Sequence, residues 1–197
     1  MVTTKSSGFK TWNDVLEYTK AHPGELNWGA SGAGNNSNLF FAVLTNDAGI
    51  EANYISYSGT GPARVGLIAG DVALCHMTSA NLLDNLREEN TEYVGLLTNR
   101  PTNEFEGIDL VTCSEMGYKN SNAIVGSRDI YCDSAASPEQ VAWVEDIMSQ
   151  AVKTDSFLEF AGLNNINMDY MDTETAKSWL NSYCVTAEEM IPIMRGN

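Results

Sequence analysis

The sequence predicts an α/β protein with a largely parallel sheet. Three observations carry that expectation. Apolar runs of strand length alternate with runs of helical period, two glycine-rich loops each follow a strand and open a helix, and the last third is mostly helical in period.

The first cycle opens with "MVTT" as a strand. Thr11 with Asp14 three residues on forms a capping box, and Trp12, Val15, Leu16 and Thr19 share a helical face ending near "HPG". "LNWGAS", residues 26–31, is the next strand, and Leu39, Phe40, Val43 and Leu44 continue as a helix to a C-cap at Gly49. "ANYISY", 52–57, is a strand whose loop "SGTGP" puts Pro62 at the first helical position before "ARVGLIAG". "DVALCHM", 71–77, follows as a strand, 79–89 as a helix and "EYVGLLT", 92–98, as another strand.

After Arg100 the pattern loosens into turn residues with a short strand at best, and "AIVGSRDIYC", 123–132, reads as extended. Ser137, Pro138 and Gln140 then start a helix with Val141, Val144, Ile147, Met148 and Ala151 on one face. Asp172 or Thr173 caps a helix carrying Ala176, Trp179, Leu180, Tyr183 and Cys184, and Thr186 with Glu189 begins a last short one. "NINMDY" is the only strand candidate in this third, so its helices lack a sheet to cover. Trp12, Trp28, Trp143 and Trp179 read as core.

Acidic residues outnumber basic ones 26 to 11, a formal net charge of −15, and the basic residues are scattered. That excludes a nucleic-acid partner, which needs a basic patch, and requires any anion site to work through local dipoles. Cys75, Cys113, Cys132 and Cys184 form no CxxC pair and His22 and His76 have no ligand-spaced neighbours, so no metal site is expected and the cysteines read as buried free thiols. No apolar run approaches the roughly 18 residues of a membrane helix, and no secretion signal is recognisable.

The chemistry concentrates in the loops at 32–38 and 58–61. Gly32, Gly34, Gly59 and Gly61 supply positive φ and close backbone approach, while helix-start amides with Ser31, Asn35, Asn36, Ser37, Ser58 and Thr60 supply uncharged donors for an anion. Neither loop is a Walker loop, and "GASGAG" meets only the loose GxxGxG spacing, so no cofactor is expected. The alternative is a small α/β hydrolase-like enzyme using Ser31 or His76, although Ser31 lacks a GxSxG elbow.

In order, "FKTWNDVLEYTKAHPGELNWGASGAGNNSNL", "YISYSGTGPARVGLIAGDVAL" and "SPEQVAWVEDIMSQAV" resemble the solute-binding proteins of tripartite tricarboxylate transporters, the Bug family. The matching motifs are Pro23-Gly24, Ser31 to Gly34, the set Tyr57, Gly59, Pro62 and Ala63, and Gly70 with Val72; Ala73 stands where the family often has Asp. The resemblance implies a periplasmic-binding-protein type II-like lobe, with a mostly parallel sheet flanked by helices, plus a helical C-terminal part of the other lobe. By that division residues 1–124 form the second lobe, entered by a hinge strand at 1–8, and 125–197 belong to a first lobe whose N-terminal part is not recognisable here.

The implied function is extracytoplasmic capture of a small carboxylic acid for membrane transporter subunits, not catalysis. The implied ligand loops are Ser31, Gly32, Ala33, Gly34, Asn35 and Ser37, and Tyr57, Ser58, Gly59, Thr60 and Ala63. An incomplete first lobe also implies an exposed apolar face, hence self-association or partial disorder of the C-terminal helices.

Overall fold

The computed structural model describes residues 1–78, 80, 82–99, 105, 107–166 and 168–194. The chain divides into two compact units, Met1–Val125 with Thr186–Asn197, and Gly126–Val185.

In the first unit the order is β1 (Val2–Thr4), a 3-10 turn at Lys5–Ser7, α1 (Trp12–Ala21), β2 (Leu26–Ser31), α2 (Asn36–Ala48), β3 (Ala52–Tyr57) and α3 (Thr60–Ala69). There follow β4 (Leu74–Cys75), α4 (Leu83–Arg87), β5 (Tyr93–Gly95), β6 (Leu97–Thr98), β7 (Val111–Thr112) and α5 (Lys119–Ala123). The five-stranded sheet has the order β3-β2-β4-β1-β5, and β6 pairs with β7 in a small parallel sheet. β2 runs parallel to β3 and β4; β1 alone is reversed, antiparallel to both β4 and β5.

Strand alternation builds a core on each face of this sheet. Leu74 and Trp28 join Trp12, Val15, Leu39, Phe40, Val43 and Leu44 on the side of α1 and α2. Cys75 and Val2 join Ala63, Leu67, Val72 and Tyr93 on the side of α3. Trp28 is wholly buried, with Phe41 edge-on at 5.1 Å, so its truncation to Ala would cost about 3–5 kcal/mol.

Local signals set the element ends. Thr11 and Asp14 form the expected capping box, and Gly49 ends α2 in the left-handed conformation with φ 63°. At α5, the Asp47 carboxylate accepts from Asn120 Nδ2 and from the amide and hydroxyl of Ser121, each at 2.8 Å, clamping α2 to α5.

The second unit contains α6 (Pro138–Ala151) and α7 (Asp155–Leu163), and α8 (Thr173–Met194) runs through the residues of both units. The Ser137–Gln140 capping box with Pro138 starts α6 as the sequence indicates.

Several expectations need correction. "DVALCHM" holds a strand of only two residues, because Thr3 Oγ1 takes the Ala73 carbonyl at 2.7 Å in place of a ladder bond. "EYVGLLT" splits into β5 and β6 where the Leu96 amide turns to the Met1 carbonyl at 3.0 Å. Of the helix expected at 79–89, α4 covers Leu83–Arg87, and Ser79 and Asn81 lie outside the described residues. Residues 124–132 form no strand, having no sheet to join among the described residues, and the described part of "NINMDY" forms none either, Asn167 lying outside them. The last short helix is continuous with α8, since no Gly or Pro interrupts the chain near Thr186 and Met190 is drawn into the first unit's core. Trp143 is 66% exposed and Trp179 is only partly buried, stacked on Tyr183; helical period reveals an apolar face but not what covers it. Cys75 and Cys113 are buried thiols, whereas Cys132 and Cys184 are exposed.

Candidate functional site

Parallel pairing brings the two glycine loops together. The register ends at Ser31 opposite Tyr57, so residues 32–35 and 58–59 leave one edge of the sheet side by side, the edge where open α/β sheets hold ligands. The Gly32 amide donates to the Tyr57 carbonyl at 2.8 Å, and the Tyr54 hydroxyl donates to the Gly32 carbonyl at 2.6 Å, fixing the first loop to β3. Sequence reasoning missed Tyr54; an aromatic on the edge strand is no signal until the register places it beneath the loop.

The first loop largely satisfies itself. Asn35 is the N-cap of α2, its Oδ1 accepting from the amides of Ser37 at 3.0 Å and Asn38 at 3.2 Å. Its Nδ2 donates to the Ser31 carbonyl at 2.6 Å, and the Gly34 amide donates to Asn38 Oδ1 at 3.1 Å. Gly32 and Gly34 take φ of 71° and 69°, the positive values expected of them. Among the described residues, nothing accepts from the amides of Ala33 and Asn35, and the hydroxyls of Ser31 and Ser37 have no partner.

The second loop is left open. α3 starts after Gly59 with no side-chain cap, so Pro62 is its third residue and not its first, where its missing amide costs no helix bond. Gly59 is extended, with φ 170°, and Gly61 is helical, so neither uses the positive φ expected of it. Among the described residues, nothing accepts from the amides of Ser58, Gly59, Thr60 or Gly61. Four successive backbone donors thus lie at the start of α3, where its dipole is positive, in a solvent-accessible loop that contains no charged side chain. The sequence reading placed Gly61 in this loop but started the helix two residues too late, at Pro62, so it did not show the Gly61 amide as one of the open helix-start donors.

Two expected contact residues do something else. The Tyr57 ring lies across Gly29, where an added Cβ would stand 3.1 Å from Cε2, and against Gly66 of α3, where one would stand 2.6 Å from Cζ. Tyr57 therefore faces the flank of α3 and contributes its carbonyl to the loop. Ala63 is fully buried, and its amide donates to Gly59 within the helix start. A groove of about 660 Å³ lined by Tyr57, Pro62, Arg64, Val65 and Asp71 runs along that flank and touches the loop only at Gly61.

The geometry does not assemble a hydrolase. His76 directly follows β4 at this edge, but its ring stacks on Phe40 at 4.9 Å, and its buried Nδ1 has no partner among the described residues. Burial lowers its pKa to about 3, and its ring pairs with neither Ser31 nor a carboxylate. No group of three metal-ligating side chains occurs among the described residues.

The helix-flanked α/β fold with its mixed sheet is that of periplasmic binding protein type II structures. The chain belongs to the tripartite tricarboxylate transporter receptor family, TctC, whose model matches residues 1–191. That family is one of transporter receptors and not of enzymes. A UPF0065 protein of Bordetella pertussis is 26% identical over 154 residues, covering 78% of this chain and 46% of the relative. Among solved structures, Rpa4515 of R. palustris with adipate superposes with TM-score 0.79 at 18% identity, covering 98% of this chain and 64% of that one. The periplasmic binding protein BugD gives 0.68 at 16% identity, covering 94% and 62%. The chain thus spans about half the length of the Bordetella relative and less than two thirds of the two structures.

Proposed function

We propose that this chain carries the ligand loops of an extracytoplasmic receptor that captures a small carboxylic acid for a tripartite transporter in the membrane. The observation that carries this reading is the contrast between the two helix starts: α2 is capped by Asn35, while α3 presents the unpaired amides of Ser58, Gly59, Thr60 and Gly61. A carboxylate accepts up to about four hydrogen bonds, and backbone amides at a helix start supply them without a cation, as the protein's acidity requires.

In this reading the amides of Ala33 and Asn35 and the hydroxyls of Ser31, Ser37, Ser58 and Thr60 complete the wall. Gly32, Gly34, Tyr57 and Ala63 hold it in place. Residues 1–124 form the ligand-bearing lobe and 125–185 belong to its companion lobe, the end of α8 from Thr186 being part of the first unit. The family membership and the adipate held by Rpa4515 support the carboxylate and the location outside the cytoplasm.

The test is a thermal-shift panel of mono-, di- and tricarboxylates, adipate included, each beside its neutral amide. Acids that stabilise the chain while their amides do not would support the reading. Equal responses to acid and amide would overturn it.

A further inference from the structure

β3 ends the sheet order β3-β2-β4-β1-β5, so only one of its sides is paired. The Gly32 amide reaches the Tyr57 carbonyl, and strand alternation therefore turns the backbone groups of Asn53, Ile55 and Tyr57 to β2 and those of Tyr54 and Ser56 outward. Among the described residues nothing pairs with that outward row. Open edges are ordinarily guarded by charge, proline or a bulge, whereas "ANYISY" has no charge and no proline, and its register with β2 runs unbroken from Ala52 to Tyr57.

Two further observations fall on the same flank. Among the described residues, Val65 and Ile68, 66% and 57% exposed, are the exposed large hydrophobic side chains of the first unit, the others lying in the second. Both are on α3, and the groove lined by Tyr57, Pro62 and Val65 joins that helix to the end of β3. In a chain of net charge −15, residues 52–70 contain a single charged side chain, Arg64, and its guanidinium lies over the ring of Tyr93 on β5, at the opposite edge of the sheet.

We propose that this flank is an interface between two copies of the chain, joined edge to edge through β3. Antiparallel pairing about a two-fold axis at Ile55 sets Tyr54 opposite Ser56 of the second copy, so the outward amides and carbonyls of both strands satisfy each other. The two sheets become one, with both α3 helices on the same face of it, where Val65 and Ile68 lose water. Charge selects a second copy as the occupant. Repulsion among the acids keeps copies apart elsewhere but not here, and a basic partner finds no acid in β3 or α3 to hold it. The inference rests on the strand edge and not on the carboxylate reading.

The test is sedimentation of the full chain over a range of concentrations, with amide exchange at both ends of that range. A reversible dimer is expected, with exchange at Tyr54 and Ser56 slowed at least tenfold in it, while Asn53, Ile55 and Tyr57, already bonded to β2, change little. Ser56→Pro removes an amide that bonds nothing in the fold, and Val65→Glu with Ile68→Glu alters only exposed positions. Each is expected to weaken the dimer at least tenfold while β2 stays protected. A monomer at every concentration, a dimer whose Tyr54 and Ser56 amides exchange as in the monomer, or undiminished dimerisation of either folded variant would each overturn the proposal.

Discussion

Replacing Thr60 by Pro separates the proposed binding role of the α3 start from its role in folding. Thr60 is the first helical residue, a position Pro favours, and Gly59 before it is extended at φ 170° and ψ 174°, outside the α region that Pro disfavours in the residue before it. The Thr60 amide donates to nothing among the described residues, so its removal breaks no hydrogen bond of the fold. The urea midpoint should therefore stay the same or rise, since Pro at a compatible position contributes about 0.4–1 kcal/mol through the unfolded state. Affinity should fall, because an amide hydrogen bond to a charged acceptor is worth about 1.5–3 kcal/mol, or roughly 10- to 150-fold in Kd. Titrating both proteins with adipate, followed by amide chemical shifts, measures that ratio. Thr60→Val keeps the amide and removes the hydroxyl, dividing the loss between the two donors. An unaltered affinity in a stably folded Thr60→Pro protein would refute the assignment of this amide.

Other outcomes follow from the packing. Asp47→Ala strands the fully buried Ser121 without its acceptor and should lower stability by about 2–4 kcal/mol in urea unfolding, with little effect on adipate binding. Burial raises the pKa of Cys75 to about 12 and of Cys113 to about 11, so a thiol reagent near neutral pH should titrate Cys132 and Cys184 in the native protein and all four in denaturant. For His76, burial places the folded pKa near 3, below its ordinary 6.5. Between those values the unfolded chain binds the extra proton, so this residue's contribution is complete above 6.5 and is lost as pH falls toward 3. His76→Leu should flatten that part of the stability profile relative to the wild type; parallel profiles would count against a buried neutral imidazole.

Much of the first unit is legible in its residues because local chemistry and tertiary structure agree there. Thr11–Asp14 announces a helix start by capping alone, as Ser137–Gln140 does in the second unit, and β2 and β3 occupy the expected residues because each is an apolar run ended by a glycine loop. The reversal of β1 leaves no trace in "MVTT", since strand direction is settled by pairing with β4 and β5. The candidate site was legible as two loops with helix-start amides, but not which of those amides the fold leaves open. Which amides remain open depends on the Asn35 side chain folding back over α2 and on α3 beginning at Thr60, both of which are decided by backbone geometry. In the second unit, the spacing of Trp143 and Ile147 marks an apolar face, and no period in the sequence says whether anything lies against it.

The most direct test of the central claim is an amide-resolved titration of the full chain with adipate. The largest shifts should fall on Ser58, Gly59, Thr60 and Gly61, with smaller ones at Ala33 and Asn35, while Ser37 and Asn38, already held by Asn35, change little. Shifts centred on Ser37 and Asn38, or confined to residues outside the two loops, would contradict the open α3 start as the carboxylate site.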